Sequence, residues 1–349
     1  MASSTMPVLR RALLYVPASS PKFLAKSLTL TSDNVTYDLE DSVTPSMKST
    51  ARTALQTHLR SLSSKQATSI GEIAVRINAV STPHAIADIR AVASLPNLDA
   101  IVVPKVSGAA DLALVEDVIR QTAPQRAGTT ATTTTANPDP DPDRNSDGSS
   151  NNNNSNNTKN RPIAILALIE SAKAVVDLRE ICTATPNLRG LIFAAEDFAL
   201  DLSLRRTPHM HEMAYARSAI VTAARAFGLE SAIDAVCTSL RGPGAQEQLA
   251  FECENGRGFG FTGKQCIHPD QVPYVQRMFS PDAEQVEWAA RVVIADEKAS
   301  AAGKGAFSLA GKMIDAPVVG KARATLAEAK QCGIDVDALR DKFKDESPE

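Results

Sequence analysis

A chain of 349 residues with 43% apolar content holds enough core-forming side chains for one large domain or two ordinary ones. Its 37 basic and 40 acidic residues leave a net charge of −3, a balance that argues against nucleic acid or an anionic membrane as the main partner. No apolar run approaches the roughly 18 residues needed to span a bilayer, and the five cysteines, Cys182, Cys237, Cys253, Cys266 and Cys332, fall in no CxxC or zinc-like spacing.

An odd number of unpaired cysteines fits a reduced intracellular compartment, where the sequon at Asn34 carries no meaning. Residues 1–32 contain Arg10, Arg11, Lys22 and Lys26 and no acid, a mildly transit-like bias. However, "ALLYVPA" at 12–18 already reads as a strand, which leaves too little chain before it for a convincing presequence. The cytoplasm and the mitochondrion both stay open.

From that first strand onward, apolar β-rich runs alternate with helical patterns. The runs are 12–18, "NVTYDLED" at 34–41, "IAVRINA" at 73–79 and "LDAIVVPKV" at 98–106. A low-complexity stretch follows, Thr129 to Asn157, with no aliphatic side chain larger than alanine; such a composition cannot offset its ordering entropy and predicts disorder. The alternation then resumes with "IAILALIES" at 163–171, "LRGLIFAAEDF" at 188–198, "SAIDAVCTS" at 231–239 and "GFGFTGKQCIHP" at 258–269. Segments such as "SMKSTARTALQTHLRSL" and "EMAYARSAIVTAARAFGL" carry apolar residues at helical spacing.

Strands alternating with helices imply a parallel sheet. Eight such units over about 270 residues predict an α/β fold of the closed (β/α)8 TIM-barrel type, in preference to a doubly wound open sheet. The barrel is expected over residues 8–280, with the low-complexity segment (about 124–160) inserted after the fourth helix. A C-terminal helical extension is expected over 281–349. It comprises 280–303, then "KGAFSLAGKMIDAP", then a last helix from about Pro317 to Cys332, packing on a neighbour or across the barrel.

Chemistry in such barrels sits at the C-terminal ends of the strands. Read in order, those ends carry Ser19 and Ser20, then Glu40 and Asp41, Arg76, Lys105, Glu170, Glu196 and Asp197, and Gln265. One charged strand end is commonly a helix cap, but several converging on one mouth are not explained that way. Two carboxylates on neighbouring strands, with no histidine or cysteine pair nearby, point to a hard divalent cation; magnesium takes one or two protein carboxylates and leaves its other positions to water and substrate. Glu170 and Asp197 are the expected ligands, with Glu40 and Asp41 placed to hold a water bound to the metal. A glycosidase acid/base pair is the rival reading. It ranks lower because Arg76 and Lys105 share the rim and aromatic residues make up only 4%. Arg76 beside a metal suits a substrate carrying a carboxylate or developing enolate charge.

Other signals are weaker. "GFGFTG" at 258–263 satisfies GxGxxG, but its glycines precede a strand instead of opening a helix after one. His209 and His211 sit at a loop-to-helix start and read as solvated. His268 reads as a turn residue bonded to backbone, and the Trp288 stripe as packing.

The motifs "LLYVPASSPKFLAKSL", "YDLEDSV", "VRIN", "VVPKV", "ALIESAKAV", "FAAEDF", "AFGL", "GFTGKQCIHPDQV", "FSPDAEQVEWA" and "GKGAFSLAGKMIDAPV" occur in this order. Together they resemble the citrate lyase β-subunit-like family of the HpcH/HpaI aldolase superfamily, in particular its mitochondrial citramalyl-CoA lyase branch. The resemblance runs from about Arg11 to Ala327, excepting the Asn-rich insertion.

It implies a magnesium-dependent barrel enzyme, usually a homotrimer, that makes or breaks a carbon–carbon bond next to a CoA thioester. The family's metal ligands fall on Glu170 and Asp197, and its substrate-binding arginine falls on Arg76. Its residues for the CoA-bearing substrate fall on Tyr15, Lys22, Lys26, Gln265 and Cys266. Its catalytic aspartate falls on Asp315, brought to the site by a neighbouring subunit's tail; read from the sequence alone, Asp315 is the N-cap of the last helix. Lys22 and Lys26 lie one helical turn apart, which suits the phosphates of CoA or a solvated helix face. In departures from the family pattern, "IES" replaces "VET", Cys266 replaces a common valine in the pocket wall, and "DLSLRRTPHMHE" replaces a Gly/Ser-containing loop.

The implied reaction is retro-Claisen cleavage of a β-hydroxyacyl-CoA such as citramalyl-CoA to acetyl-CoA and pyruvate. Asp315 would act as base and Arg76 would stabilise the enolate. Alternatives are malyl-CoA hydrolysis, a malate synthase-like condensation, a metal aldolase acting on free hydroxy acids, and a non-catalytic subunit of a larger lyase.

Overall fold

The structure is a computed structural model that describes residues 8–62, 70–128, 161–303 and 305–349. The low-complexity reading at Thr129 to Asn157 lies outside them. Eight parallel strands form in chain order: β1 (Ala12–Pro17), β2 (Asn34–Asp38), β3 (Glu72–Arg76), β4 (Ala100–Val103), β5 (Ala164–Ile169), β6 (Leu188–Phe193), β7 (Ser231–Asp234) and β8 (Gly263–Cys266). Each pairs with the next, and β8 returns to β1 with Leu13 opposite Gln265, closing the barrel. The eight-unit pattern in the sequence therefore gives a closed barrel and excludes the open sheet.

Strands buried on both faces explain the near-continuous apolar runs. Leu13, Ala74, Val102, Leu166, Leu168, Ile192 and Ile233 fill the interior. Their alternates, including Leu14, Val75, Ile101, Ile165 and Leu191, pack outward on the helices. Several buried charges are paired. At the floor, Arg10 donates from Nε and Nη2 to Glu72 at 2.7 Å each, and Asn34 Nδ2 reaches the same carboxylate at 2.6 Å. Asn34 is fully buried in β2, so its sequon is a structural amide. Between β7–β8 and their helices, Arg217 pairs with Asp234 at 2.7 Å and Lys264 with Glu252 at 2.9 Å, both pairs shut off from solvent.

β4 and β5 pair directly, Ala100 opposite Ala164 through Val103 opposite Ala167. The chain between them is thus an insertion within one barrel. Its stems are tied together: Ile163 N–H donates to the Arg126 carbonyl at 2.9 Å, and the buried Arg126 guanidinium donates to the carbonyls of Arg161 (2.6 Å) and Leu95 (2.8 Å). This junction precedes β5, at the barrel end opposite the C-terminal strand ends.

The glycines of "GFGFTG" have structural duties. Gly258 lies in the helix Ala245–Phe259, and Gly260 ends that helix with φ 96°, where a left-handed cap favours glycine. At Gly263 a Cβ would stand 2.0 Å from the Arg10 carbonyl oxygen, so only glycine lets β8 approach the chain entering β1.

The extension contains the helix Ala283–Ala301, a hairpin of β9 (Phe307–Leu309) and β10 (Lys312–Ile314), and the helices Ala316–Gln331 and Val336–Lys342. These elements share a core of their own around Val286, Val293, Leu309, Ile314 and Leu326, against which Trp288 packs. The hairpin and the helix Val336–Lys342 were not legible in sequence, whereas the helix expected from about Pro317 to Cys332 is present as Ala316–Gln331. The hairpin turn uses Ala310 at φ 48° before Gly311 at φ 70°, and alanine is a poor advertisement for a left-handed position. The helix Ala316–Gln331 lies against the barrel floor across a cavity of about 940 Å³ whose walls include Arg10, Phe261, Trp288 and Val318.

Two expectations follow. Gly263→Ala forces backbone apart at a closed seam and should cost about 1–3 kcal/mol or more, read as a lower urea midpoint at unchanged slope. Replacing residues 129–160 with a short Gly/Ser linker should leave the melting temperature within about 2 °C, because Arg126 already closes the stems.

Candidate active site at the barrel mouth

The C-terminal strand ends open into a cleft of about 440 Å³. One side is polar, with Tyr15, Asp38, Asp41, Arg76 and Asp197; the other is apolar, with Leu168, Ala194, Val236 and Ile267. Parallel strands end together at this rim, so residues more than 150 positions apart in sequence become neighbours.

Arg76, the last residue of β3, is the organising cation. Its Nε and Nη2 donate to the two oxygens of Asp38 at 2.7 Å each, its Nη1 lies 3.2 Å from Glu40 and 3.5 Å from Asp41, and its guanidinium stacks 4.7 Å from the Tyr15 ring centre. Burial alone would push the Asp38 carboxyl up, but the paired bonds and charge of Arg76, with N–H groups of Glu40 and Ser42, hold it below its ordinary value. Asp38 did not emerge from the sequence reading. The available signal was parity: it stands two residues before Glu40 in β2 and so shares its face.

Lys105 follows β4 in a left-handed conformation, φ 52°, which costs a side-chain-bearing residue about 1 kcal/mol. Its Nζ lies 2.7 Å from Glu40, 3.6 Å from Asp41, 3.8 Å from Asp197 and 4.0 Å from Glu170. Its backbone N–H donates to Glu170 Oε1 at 3.1 Å. Glu170 directly follows β5, is buried, and keeps Oε2 without a hydrogen-bond partner. Burial, against the Lys105 N–H and with the nearby charges of Asp197 and Glu40, pushes its carboxyl up to about 7. Burial likewise raises Glu40, although Arg76 and Lys105 oppose it.

Four sequence expectations change. Glu196 and Asp197 do not end β6, which stops at Phe193; they occupy the first turn of the helix Ala195–Asp201, where the helix dipole favours acids. Glu196 is paired with Arg206, which also holds Glu252 at 3.2 Å and the Val236 carbonyl at 3.0 Å. Glu40 and Asp41 are engaged by Arg76 and Lys105, so holding a water is not their sole duty. Cys266 turns outward in β8 and is fully buried in the layer between barrel and helices, so replacing valine there alters packing and not the pocket wall.

Gln265, its neighbour, faces inward. It accepts from Tyr15 OH at 3.0 Å and donates to the carbonyls of Phe193 (2.8 Å) and Asp234 (3.1 Å). His268 caps the turn Pro269–Gln271 by accepting the Asp270 N–H, and His209 and His211 are exposed, as their positions imply.

Residues 11–269 match the family described as HpcH/HpaI aldolase/citrate lyase, close to three-quarters of the chain. The chain belongs to this family. It is 30% identical to the citrate lyase subunit beta of Leuconostoc mesenteroides subsp. cremoris, over 90% of this chain and 91% of that one. To the (3S)-malyl-CoA thioesterase of Cereibacter sphaeroides it is 31% identical, over 92% and 94%. Among solved structures, protein CitE from Mycobacterium tuberculosis in complex with magnesium, acetoacetate and coenzyme A superposes with a TM-score of 0.66 at 28% identity, covering 93% of this chain and all of that one.

Three family positions lie apart from the cleft walls. Lys22 and Lys26 are exposed on the helix Pro21–Ser27, which Ser20 caps just after β1. Asp315 is exposed and caps the helix Ala316–Gln331, its Oδ1 accepting the Val318 N–H at 3.2 Å. Since that helix lies against the barrel floor, Asp315 does not line the mouth of its own chain.

The raised carboxyl fixes a sign. Between its ordinary 4.5 and about 7, Glu170 binds more protons folded than unfolded, so its contribution to stability falls as pH rises through that window. Thermal unfolding of chelator-treated protein should show this decline, and Glu170→Gln should remove it. Arg76→Met leaves Asp38 buried and unanswered and should cost about 3–5 kcal/mol, with Asp38→Asn in the same chain recovering part.

Proposed function

We propose that this chain is a magnesium-dependent carbon–carbon lyase that cleaves a β-hydroxyacyl-CoA such as citramalyl-CoA to acetyl-CoA and pyruvate. The observation that carries the reading is the buried Glu170 carboxylate with an unbonded oxygen, beside the half-buried Asp197, opposite an arginine locked in place. Oxygen donors suit magnesium. Magnesium takes one or two protein carboxylates and keeps water and substrate oxygens as its other ligands. Glu170 and Asp197 would hold the magnesium ion, which would supply Lewis acidity toward the oxygens of the substrate.

The chain's own residues do the rest. The Nη1 side of Arg76 is turned toward Glu40 and Asp41 at the rim, and Asp38 and Tyr15 fix the guanidinium plane, so its charge is available to the thioester oxygen as the enolate forms. Asp315 of a second copy in a homotrimer accepts the hydroxyl proton; the electrons of the breaking C–C bond pass to the acetyl-CoA enolate, which regains a proton at carbon. Exposed Val176, Leu200 and Tyr215 on elements beside the mouth, and exposed Met313 two residues before Asp315, support such a contact between copies. Tyr15 and Gln265 line the cleft for the acyl portion, and Lys22 and Lys26, basic and exposed beside β1, suit the CoA phosphates. The apolar wall of Leu168, Val236 and Ile267 suits the methyl of citramalate.

Hydrolysis of malyl-CoA is the second reading, favoured by the resemblance to a malyl-CoA thioesterase at 31% identity, against 30% for the citrate lyase subunit beta. Product analysis separates the two. With purified protein and magnesium, citramalyl-CoA should yield acetyl-CoA and pyruvate in equal amounts. Chelation or Asp197→Ala should lower the rate at least about 100-fold. Free CoA without acetyl-CoA would assign the hydrolase reaction, and no turnover of either thioester would reject both.

A further inference from the structure

Lys105 is held in a way that none of its neighbours alone requires. A left-handed backbone at a lysine is unfavourable, yet it lets one residue give its N–H to Glu170 and its ammonium to Glu40. Asp41, Asp197 and Glu170 also lie within 4.0 Å of that ammonium; Glu40 and Asp41 have Arg76 beside them as well, so among the described residues Glu170 and Asp197 face the ammonium as their only paired cation. Only Glu40 receives a hydrogen bond from it; Glu170 Oε2 is buried and receives none. The lysine side chain is 41% exposed, so a path to solvent is open, and its four-carbon stem gives the ammonium reach.

We propose that Lys105 is a displaceable internal counter-cation: its ammonium neutralises the mouth's carboxylates while no divalent ion is bound, and moves toward solvent when magnesium takes its place on Glu170 and Asp197. The inference rests on the reading that these two carboxylates hold magnesium. The physical argument is exchange. Two cations directed at the same oxygens repel strongly where water is scarce, so a divalent ion is better accommodated by replacing the ammonium than by joining it. Exchange also discriminates by charge. A sodium or potassium ion replacing the ammonium gains no charge, whereas a divalent ion gains one. Meanwhile the carboxylates stay gathered around the ammonium without the ion.

The test compares wild type with Lys105→Met by magnesium titration calorimetry and by thermal unfolding, with chelator and with saturating magnesium. A second readout needs only the wild type: the rate at which an amine-acetylating reagent labels Lys105, measured by mass spectrometry with Lys22 and Lys26 as internal references. The variant should melt lower than wild type in chelator but level with it in magnesium, and should bind magnesium about tenfold more tightly. Acetylation of wild-type Lys105 should speed up when magnesium is added. An equal melting deficit in both conditions, or a Lys105 acetylation rate that is unchanged or slowed by magnesium, would overturn the exchange while leaving the metal site standing. No magnesium binding by wild-type protein would remove the metal reading itself.

Discussion

Carboxylates withdrawn from water at the end of a closed barrel have to be answered by positive charge, and most of what is distinctive about this molecule follows from how that is done. Asp38, Glu40, Asp41, Glu170 and Asp197 converge on the mouth, and Arg76 and Lys105 face them. Arg76 uses its planar fork to bind Asp38 at two points, which fixes the plane of the guanidinium. Lys105 is a point charge on a flexible stem and is spread over four acids. The remaining excess of negative charge shows in the raised carboxyls of Glu40 and Glu170, where burial and neighbouring acids outweigh the cations.

The same constraint reappears in the layer between strands and helices, where a row of buried charges is paired. Lys264 meets Glu252, Glu252 meets Arg206, and Arg206 meets Glu196, the residue beside Asp197. A chain of ion pairs thereby connects β8 to the first turn of the helix that carries a mouth carboxylate. The loop containing Arg206 is tied to the barrel through this arginine and its bond to the Val236 carbonyl. Its effect on the cleft is therefore set by a few fixed contacts and not by its composition as a whole.

The extension obeys a different logic. It has a separate apolar core and meets the floor of the barrel, while the acidic mouth lies at the opposite end. Asp315 has a sufficient local duty as a helix cap, since its carboxylate satisfies an N–H that the first turn leaves free. A part for it at the mouth requires a second copy, and nothing local to the residue would announce that.

Period and order were legible in the chain itself. Apolar runs of strand length between helical patterns, repeated eight times, predict a parallel barrel because a strand covered on both faces must be apolar throughout; Glu170 and Arg76 stood out because charge interrupts such runs only at their ends. Other features depended on where strands stop and which way side chains point. Asp38 ends β2, inside a run expected to reach residue 41, Glu196 and Asp197 moved onto a helix turn, and Cys266 turned away from the cleft while Gln265 turned into it. The alternation of a strand decides such matters, and a shift of one residue reverses them. The sequence by itself determined the fold class and the acidic character of one rim. Only the closed tertiary structure decided which acids share which cation, because ion pairing is set by distances across strands that sequence separation does not encode.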